Sequence, residues 1–303
     1  MIINMKKWKV VSTAVTFGKF HKEPVKRLEE IGCEVMINPF GRPFTTEEMI
    51  KYGKDADALI VGNDKVVKEA IDQCKKLKII AKHGVGVDGI DIKAAHDRGI
   101  IVTNAPGTNC QEVADCAMGF ILMLARDYYR AVTETKSGKW IKRPGISLYQ
   151  KTIGILGLGN IGTAMAKRAA GFDMNILGYD IKERQEVRDL GVKYVSLEEL
   201  LSNSDFITLH LPLNDGTRNL IDSEKFKMMK KGTILVNTAR SQIVNSEALY
   251  KALQDGTLLG YATDVYDSEP PVRQPFFDLP NVLLTPHEAG TTFDSNKRMG
   301  NTA

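Results

Sequence analysis

Residues Lys151–Asp180, KTIGILGLGNIGTAMAKRAAGFDMNILGYD, decide the fold. Thr152–Leu156 is a short β-branched, apolar run of the kind buried on both faces of a parallel sheet. Gly157-Leu-Gly159-Asn-Ile-Gly162 follows at once, Ile161–Ala170 favours helix, and Asn175–Tyr179 is a second apolar strand ending in Asp180, 18 residues beyond the last glycine. In a dinucleotide site each of these positions has a physical task. Gly157 permits the tight turn, Gly159 lets the backbone approach a pyrophosphate, and Gly162 lets the helix pack close to the strand. The helix N-terminus offers N–H groups and a positive dipole end to the phosphates. A carboxylate at Asp180 accepts hydrogen bonds from ribose hydroxyls and repels the additional phosphate of NADP. The glycine pattern alone is a weak signal; the strand, helix and terminal acid around it make it specific.

The chain's 303 residues are many for one core, so two domains are expected. With 43% hydrophobic and 26% charged residues, it has the balance of an ordinary globular protein. The net charge of +4 is spread over scattered Lys and Arg with no aromatic interleaving, which does not suggest nucleic acid as a partner. No apolar stretch approaches the ~20 residues of a membrane span. The opening MIINMKKWKVV runs straight into a strand pattern without an apolar leader and cleavage site, so a cytoplasmic chain is expected. Cys33, Cys74, Cys110 and Cys116 form no CxxC pair and no cluster with histidine, as reduced thiols packed as small apolar groups would; no metal site is expected.

The first hundred residues alternate strand and helix. Strands are predicted at Trp8–Val15, Cys33–Ile37, Ala58–Val61, Lys78–Ala81 and Ile100–Thr103, and helices at Pro24–Ile31, after a Thr45 or Thr46 cap, at Lys65–Cys74 and at Asp91–Asp97. Such alternation makes a second open parallel sheet. A decoy lies in it: Gly84-Val-Gly86-Val-Asp-Gly89 also fits GxGxxG, but 18 residues beyond Gly89 stands Gly107, where no acid can hold a ribose. A loop of small residues at a strand's carboxyl end suits a small carboxylate better. Asn104-Ala-Pro-Gly107 is a turn between domains, and one long apolar helix is predicted from there to about Thr135. Tyr128 and Tyr129 on it are subunit-interface candidates, and Lys136–Leu148 reads as a surface arm. After Asp180 the predicted helices are Ser196–Leu201, Ser223–Met228 and Ser246–Asp255, and the strands are Phe206–Leu211, Thr233–Asn237, Leu259–Asp264 and Val282–Thr285.

Ligands of open α/β sheets sit outside the carboxyl ends of the strands. In the second sheet those ends are Gly157, Asp180, Leu211, Arg240, Asp264 and His287, with Glu269 just beyond Asp264. Arginine, carboxylate and histidine together equip such a rim to move a hydride to or from an alcohol carbon. The guanidinium forks onto a substrate carboxylate, the imidazole exchanges the hydroxyl proton, and Glu269 orients the imidazole. His21 and His96 are expected at the surface, His210 in packing, and His83 beside the anion loop.

Six motifs in order carry a resemblance: Lys82-His-Gly-Val-Gly-Val-Asp-Gly-Ile-Asp91, Asn104-Ala-Pro-Gly107, Gly157-Leu-Gly-Asn-Ile-Gly162, Asn237-Thr-Ala-Arg240, Asp264-Val-Tyr-Asp-Ser-Glu-Pro270 and Thr285-Pro-His287. Over nearly its whole length the chain resembles the D-isomer-specific 2-hydroxyacid dehydrogenases, with phosphoglycerate dehydrogenases of serine synthesis as the nearest branch. The resemblance implies an α/β fold of two open parallel-sheet domains: a flavodoxin-like substrate domain (1–104 plus 288–303) and an inserted Rossmann NAD-binding domain (105–287). It further implies active sites in the cleft, homodimers formed through the nucleotide domains, and NAD as cofactor. His287 becomes the acid/base, Glu269 its partner and Arg240 the carboxylate anchor, with backbone groups of Gly84, Val85 and Gly86 on the carboxylate's other side. Gly157, Gly159 and Gly162 shape the cofactor turn. Asn160 and Ile161 meet the pyrophosphate, Asp180 the ribose, and Leu211, Thr238, Ala239 and Asp264 the adenosine or nicotinamide end.

The substrate implied is a 2-hydroxy or 2-oxo acid. Phosphoglycerate leads; hydroxypyruvate or glyoxylate reduction is the alternative, and an NAD-sensing, corepressor-like binding protein is the rival from another class. Three departures from the family pattern stand out. Val61-Gly-Asn-Asp64 has glycine where many phosphoglycerate dehydrogenases carry a basic residue, with Lys65 or Lys82 as substitutes. Glu288 follows the histidine where many relatives have a small or apolar residue. Only 16 residues follow His287, so the returning helix is expected to stop near Met299, with no regulatory domain, as in a shortened chain.

Overall fold

The structure, a computed structural model, describes residues 7–303; the segment 1–6, part of the opening read above for a leader, lies outside the described residues. The chain forms two compact units. One runs up to Asn109 and includes Thr291–Ala303; the other is Cys110–Gly290.

In the first unit, β1 (Lys9–Ser12), α1 (Glu23–Glu30), β2 (Glu34–Met36), α2 (Thr46–Gly53), β3 (Ala58–Val61), α3 (Lys68–Gln73), β4 (Ile79–Lys82), α4 (Ile92–Asp97) and β5 (Ile101–Thr103) alternate. The five strands are parallel in the order β2-β1-β3-β4-β5, the flavodoxin-like arrangement. Local chemistry explains the starts. Thr45 caps α2 in a full capping box with Glu48, and Asp91 caps α4 by accepting from Ala94 N at 2.9 Å. The α3 helix begins three residues later than predicted, because Val66 is held in a bridge to Ile90.

In the second unit the long helix expected as far as Thr135 is two: α5 (Cys110–Ala125) and α6 (Tyr128–Lys136). Asp127 takes a left-handed conformation (φ 50°) at the break. The returning chain causes it: Ile146 N donates to the carbonyl of Ala125 at 2.7 Å, a group that continued helix would have used. Then follow β6 (Thr152–Leu156), α7 (Asn160–Gly171), β7 (Asn175–Tyr179), α8 (Gln185–Arg188), β8 (Val192–Tyr194), α9 (Leu197–Asn203), β9 (Phe206–Leu209), α10 (Ser223–Met228), β10 (Thr233–Asn237), α11 (Ser246–Gln254), β11 (Leu258–Thr263) and β12 (Val282–Leu284). All seven strands are parallel, ordered β12-β11-β10-β9-β6-β7-β8, the doubly wound Rossmann order with an additional outer strand. The order reverses between β6 and β9, so their carboxyl ends form the crevice. β9 and β10 are buried at every residue, as a sheet covered on both faces requires. The chain ends in α12 (Phe293–Thr302), which packs on α1 in the first unit. Among the described residues no helix is long and apolar enough to cross a membrane.

His83 follows β4 and is buried: its ring meets Phe17 edge-on at 5.7 Å, and Nε2 lies 3.4 Å from Oδ1 of Asn296 on α12. Desolvation, with Lys82 nearby, lowers its pKa to about 4. The unfolded chain therefore binds this proton first as pH falls below 6.5, and stability is lost between about 6.5 and 4. Between pH 7 and 5 this one group removes on the order of 2 kcal/mol. Thermal unfolding of wild type at the two pH values should show the drop, and His83→Asn should reduce it; an unchanged pH slope in that variant counts against the assignment.

Candidate active site

The glycine turn is a steric necessity at two of its three glycines. Gly157 sits at φ 89°, and a Cβ there would lie 2.7 Å from the His210 carbonyl; a Cβ at Gly162 would collide with the carbonyl of Gly157. Gly159 is different. Its φ of −64° suits any residue, and a Cβ there would meet nothing within 4 Å. The protein's own packing does not demand glycine at this point, and the open space leaves the backbone accessible to a ligand's phosphate. Asn160 and Ile161 open α7 immediately beyond, so the first N–H groups of a 12-residue helix point the same way. Asp180 closes β7 and accepts from Leu158 N at 2.6 Å and from Lys182 N at 3.0 Å. Each carboxylate oxygen keeps a further lone pair for a ribose hydroxyl. These residues fit a dinucleotide.

Across the crevice, the loops after β10, β11 and β12 carry Arg240, Glu269 and His287. Nδ1 of His287 and Oε1 of Glu269 are 2.6 Å apart, both side chains partly exposed. An ionised carboxylate only accepts, so Nδ1–H is the donor and Nε2 is left for exchange. His287 has a left-handed backbone (φ 53°), a costly conformation for a non-glycine residue, so the loop must be held from outside. Asp264 holds it. This buried carboxylate accepts from Thr285 Oγ1 at 2.6 Å, Glu288 N at 2.8 Å and Ala289 N at 2.7 Å, gripping the segment on both sides of the histidine. Tyr266 adds its hydroxyl to the Thr285 carbonyl at 2.7 Å. At the end of β10, Asn237 accepts from Ala239 N through Oδ1 at 3.0 Å and donates to the Arg240 carbonyl at 2.8 Å, shaping the loop that presents Thr238, Ala239 and Arg240. Thr238 Oγ1 is buried with no partner among the described residues. The Asp264 clamp is the feature that sequence reasoning missed: beside the cofactor contact expected of this acid, only its place opposite Thr285 at the end of the next strand could have signalled a hold on the histidine loop.

In the first unit, Gly84-Val85-Gly86 follows β4. The Gly84 carbonyl accepts from Ala105 N at 2.8 Å and that of Val85 from Asn104 Nδ2 at 2.8 Å, so the loop is fixed. Lys82 is buried, its ammonium on the Gly62 carbonyl and 3.2 Å from Asn63 Oδ1. A Cβ at Gly62 would come within 3.0 Å of the Ala14 Cα, so the position expected to be basic in many phosphoglycerate dehydrogenases is tight for any side chain here. Asp64 binds Thr13 Oγ1, Phe44 N and Gly62 N, tying the ends of β1 and β3 together.

Of the other candidates, His96 is at the surface and His21 lies partly exposed, on the Phe293 carbonyl at 2.8 Å. His210 bonds Thr208 Oγ1 at 3.0 Å, and burial lowers its pKa to about 3. All four cysteines are free thiols. Burial, with Asp264 and Glu288 adding negative charge, pushes the Cys116 thiol up to about 12.

Residues 118–289 match the family described as "D-isomer specific 2-hydroxyacid dehydrogenase, NAD binding domain". The chain belongs to that family. It is 42% identical over 284 residues to the hydroxypyruvate reductase of Thermotoga maritima, covering 90% of this chain and 92% of that protein. It is 43% identical over 285 residues to the D-3-phosphoglycerate dehydrogenase of Methanocaldococcus jannaschii, covering 92% of this chain but 54% of that protein, so the chain spans about half that relative's length. Among solved structures, D-lactate dehydrogenase from Aquifex aeolicus, in complex with NAD and lactic acid, superposes with a TM-score of 0.83 at 28% identity, covering 96% of this chain and 92% of that one. The 2-hydroxyacid dehydrogenase unit at Cys110–Gly290 is an NAD-binding domain.

Removing the Asp264 carboxylate strands two backbone N–H groups and a hydroxyl. Asp264→Ala is expected to cost on the order of 3 kcal/mol, measured by urea unfolding, and to depress turnover through the displaced histidine. A variant as stable as wild type contradicts the clamp.

Proposed function

We propose that this chain is an NAD-dependent D-2-hydroxyacid dehydrogenase that interconverts a small 2-hydroxy acid and its 2-oxo acid. The observation that carries the reading is the His287–Glu269 pair, 2.6 Å apart, on strand-end loops of the unit that also carries Arg240 and the dinucleotide turn. When bound, the nicotinamide supplies the hydride to carbon 2 of the 2-oxo acid, or takes it from the alcohol. In reduction His287 gives the proton on Nε2 to the carbonyl oxygen; in oxidation it takes the hydroxyl proton back. Glu269 orients the ring through Nδ1–H and so fixes the tautomer. Arg240 holds the substrate carboxylate in a planar fork, and the backbone N–H groups of Gly84, Val85 and Gly86 are a second set of donors suited to a carboxylate. Gly157, Gly159, Asn160, Ile161 and Gly162 receive the pyrophosphate and Asp180 the ribose, while Leu211, Thr238, Ala239 and Asp264 border the rest of the cofactor.

For the substrate, the tight Gly62 and the commitment of Lys82 to carbonyl oxygens favour an unphosphorylated acid such as hydroxypyruvate or glyoxylate. The second reading, phosphohydroxypyruvate, is carried by that same lysine, a buried cation two residues before Gly84, and by the likeness to a phosphoglycerate dehydrogenase. A homodimer formed through the NAD-binding unit is part of the proposal: Tyr128, Tyr129, Trp140 and Ile141 expose apolar surface there.

NADH oxidation with glyoxylate, hydroxypyruvate, phosphohydroxypyruvate and branched 2-oxo acids decides between the readings. Hydroxypyruvate or glyoxylate should lead by specificity constant; a lead for phosphohydroxypyruvate gives the enzyme to the second reading. NADH binding without turnover on any of them would leave a sensor in its place. Arg240→Ala should lower kcat/KM on the best acid by on the order of 10²- to 10³-fold, the loss of a charged carboxylate anchor, and a near-normal value would remove the arginine from the site.

A further inference from the structure

The loop after β7 does more than end in Asp180. Leu158, the second residue of the glycine turn, is fully buried, and both of its backbone polar groups are held by side chains. Its N–H donates to Asp180 Oδ2 at 2.6 Å. Its carbonyl receives Thr163 Oγ1 at 3.1 Å and the Nη2 of Arg184. The same guanidinium nitrogen donates to Thr163 Oγ1 at 2.8 Å, while Thr163 N donates to the Gly159 carbonyl at 2.9 Å. Arginine, threonine and the turn's carbonyl thus close a triangle joining the β7–α8 loop to the first turn of α7. The backbone of Arg184 is anchored as well, its N–H donating to the Tyr194 hydroxyl at 3.2 Å, and Glu186 lies 3.5 Å from Nη1. Lys182, by contrast, is exposed.

An arginine just past the ribose-binding acid is the group that reads a 2′-phosphate in NADP enzymes. Here its Nη2 is committed to protein acceptors and its side chain is turned back under the turn. We propose that Arg184 is a positioning residue of the cofactor site: it holds Leu158 and Thr163 so that Gly159 and the first N–H groups of α7 keep the shape that receives a pyrophosphate. The inference rests on the proposed seating of the pyrophosphate at that turn. Two donors, Thr163 Oγ1 and Arg184 Nη2, close on the Leu158 carbonyl and on each other, yet neither touches the reacting atoms, so Arg184 acts on cofactor affinity and leaves hydride transfer alone. It also makes Arg184 no phosphate reader, leaving the negative charge of Asp180 to refuse NADPH.

Dissociation constants for NADH and NADPH, from nicotinamide fluorescence on the full chain, test this alongside steady-state kinetics. Arg184→Ala should weaken NADH by on the order of tenfold or more, as losing hydrogen bonds from a charged donor does, with KM for NADH rising in parallel. The kcat at saturating NADH should stay within about twofold of wild type. Arg184→Lys, which keeps a cationic donor on a shorter side chain, should recover part of the loss. Thr163→Val should weaken NADH in the same direction, and combining it with Arg184→Ala should add little, because both open one triangle. If Arg184→Ala does not fold, Thr163→Val and Arg184→Lys carry the test. An unchanged NADH constant in these variants overturns the inference, as does a fall in kcat with binding intact, or a selective loss of NADPH. Gly159→Ala separates this from the underlying reading. Its methyl enters open space in the protein, so unimpaired NADH binding there removes the pyrophosphate from the turn. Impaired binding in Gly159→Ala beside normal Arg184 variants removes only the arginine.

Discussion

No side chain fits between the carbonyl of Gly157 and the α7 backbone at Gly162, and much of the second unit follows from that approach. The helix can lie against β6 only if Gly162 lacks a Cβ, and its N-terminus then stands directly above the strand's carboxyl end. The sheet order reverses beside this strand, so the crevice and the helix dipole coincide. Gly157 is pinned from the other side by the His210 carbonyl at the end of β9. The two strands flanking the crevice are thus locked together through backbone contacts that no rotamer change can relax.

Opposite the turn, the groups proposed to react lie on loops, where backbone conformation is easily lost. The structure compensates with buried acceptors. One carboxylate, Asp264, satisfies two N–H groups and a hydroxyl around His287, which allows a histidine to sit in a left-handed conformation. Asn237 does the equivalent for the Arg240 loop through its amide. The pattern is a rigid sheet, a layer of buried polar side chains above it, and exchangeable chemistry on top. Asp64 repeats it in the first unit, where it ties β1, β3 and Phe44 together.

Much of this was legible in the sequence because local pattern and tertiary outcome agree. Thr152–Leu156, Asn175–Tyr179 and Thr233–Asn237 are strands at the residues where apolar, β-branched runs placed them, and of the two candidate caps, Thr45 and Thr46, it is Thr45 that caps α2. What the sequence concealed was set by partners distant in the chain. The apolar stripe runs unbroken past Ala125, yet the helix stops there because Ile146 takes its carbonyl. The short α8 and the edge strand β8, Val192–Tyr194, carry too few residues for a periodicity to show. The strand-end rule brought Arg240, Glu269 and His287 to one rim, but could not show that Asp264 among them is occupied in holding the loop.

Cys116 gives the site a property of another kind. Attack on peroxides and other electrophiles proceeds through the thiolate, and this thiol, pushed up to about 12 by burial and by the charges of Asp264 and Glu288, is almost wholly protonated at neutral pH. Burial does most of this, and the same carboxylate that steadies the histidine adds to it. At this position the protein keeps its sulfur out of the thiolate form on which oxidation by peroxides depends, so a free cysteine can stand near the His287 loop with little exposure to that chemistry.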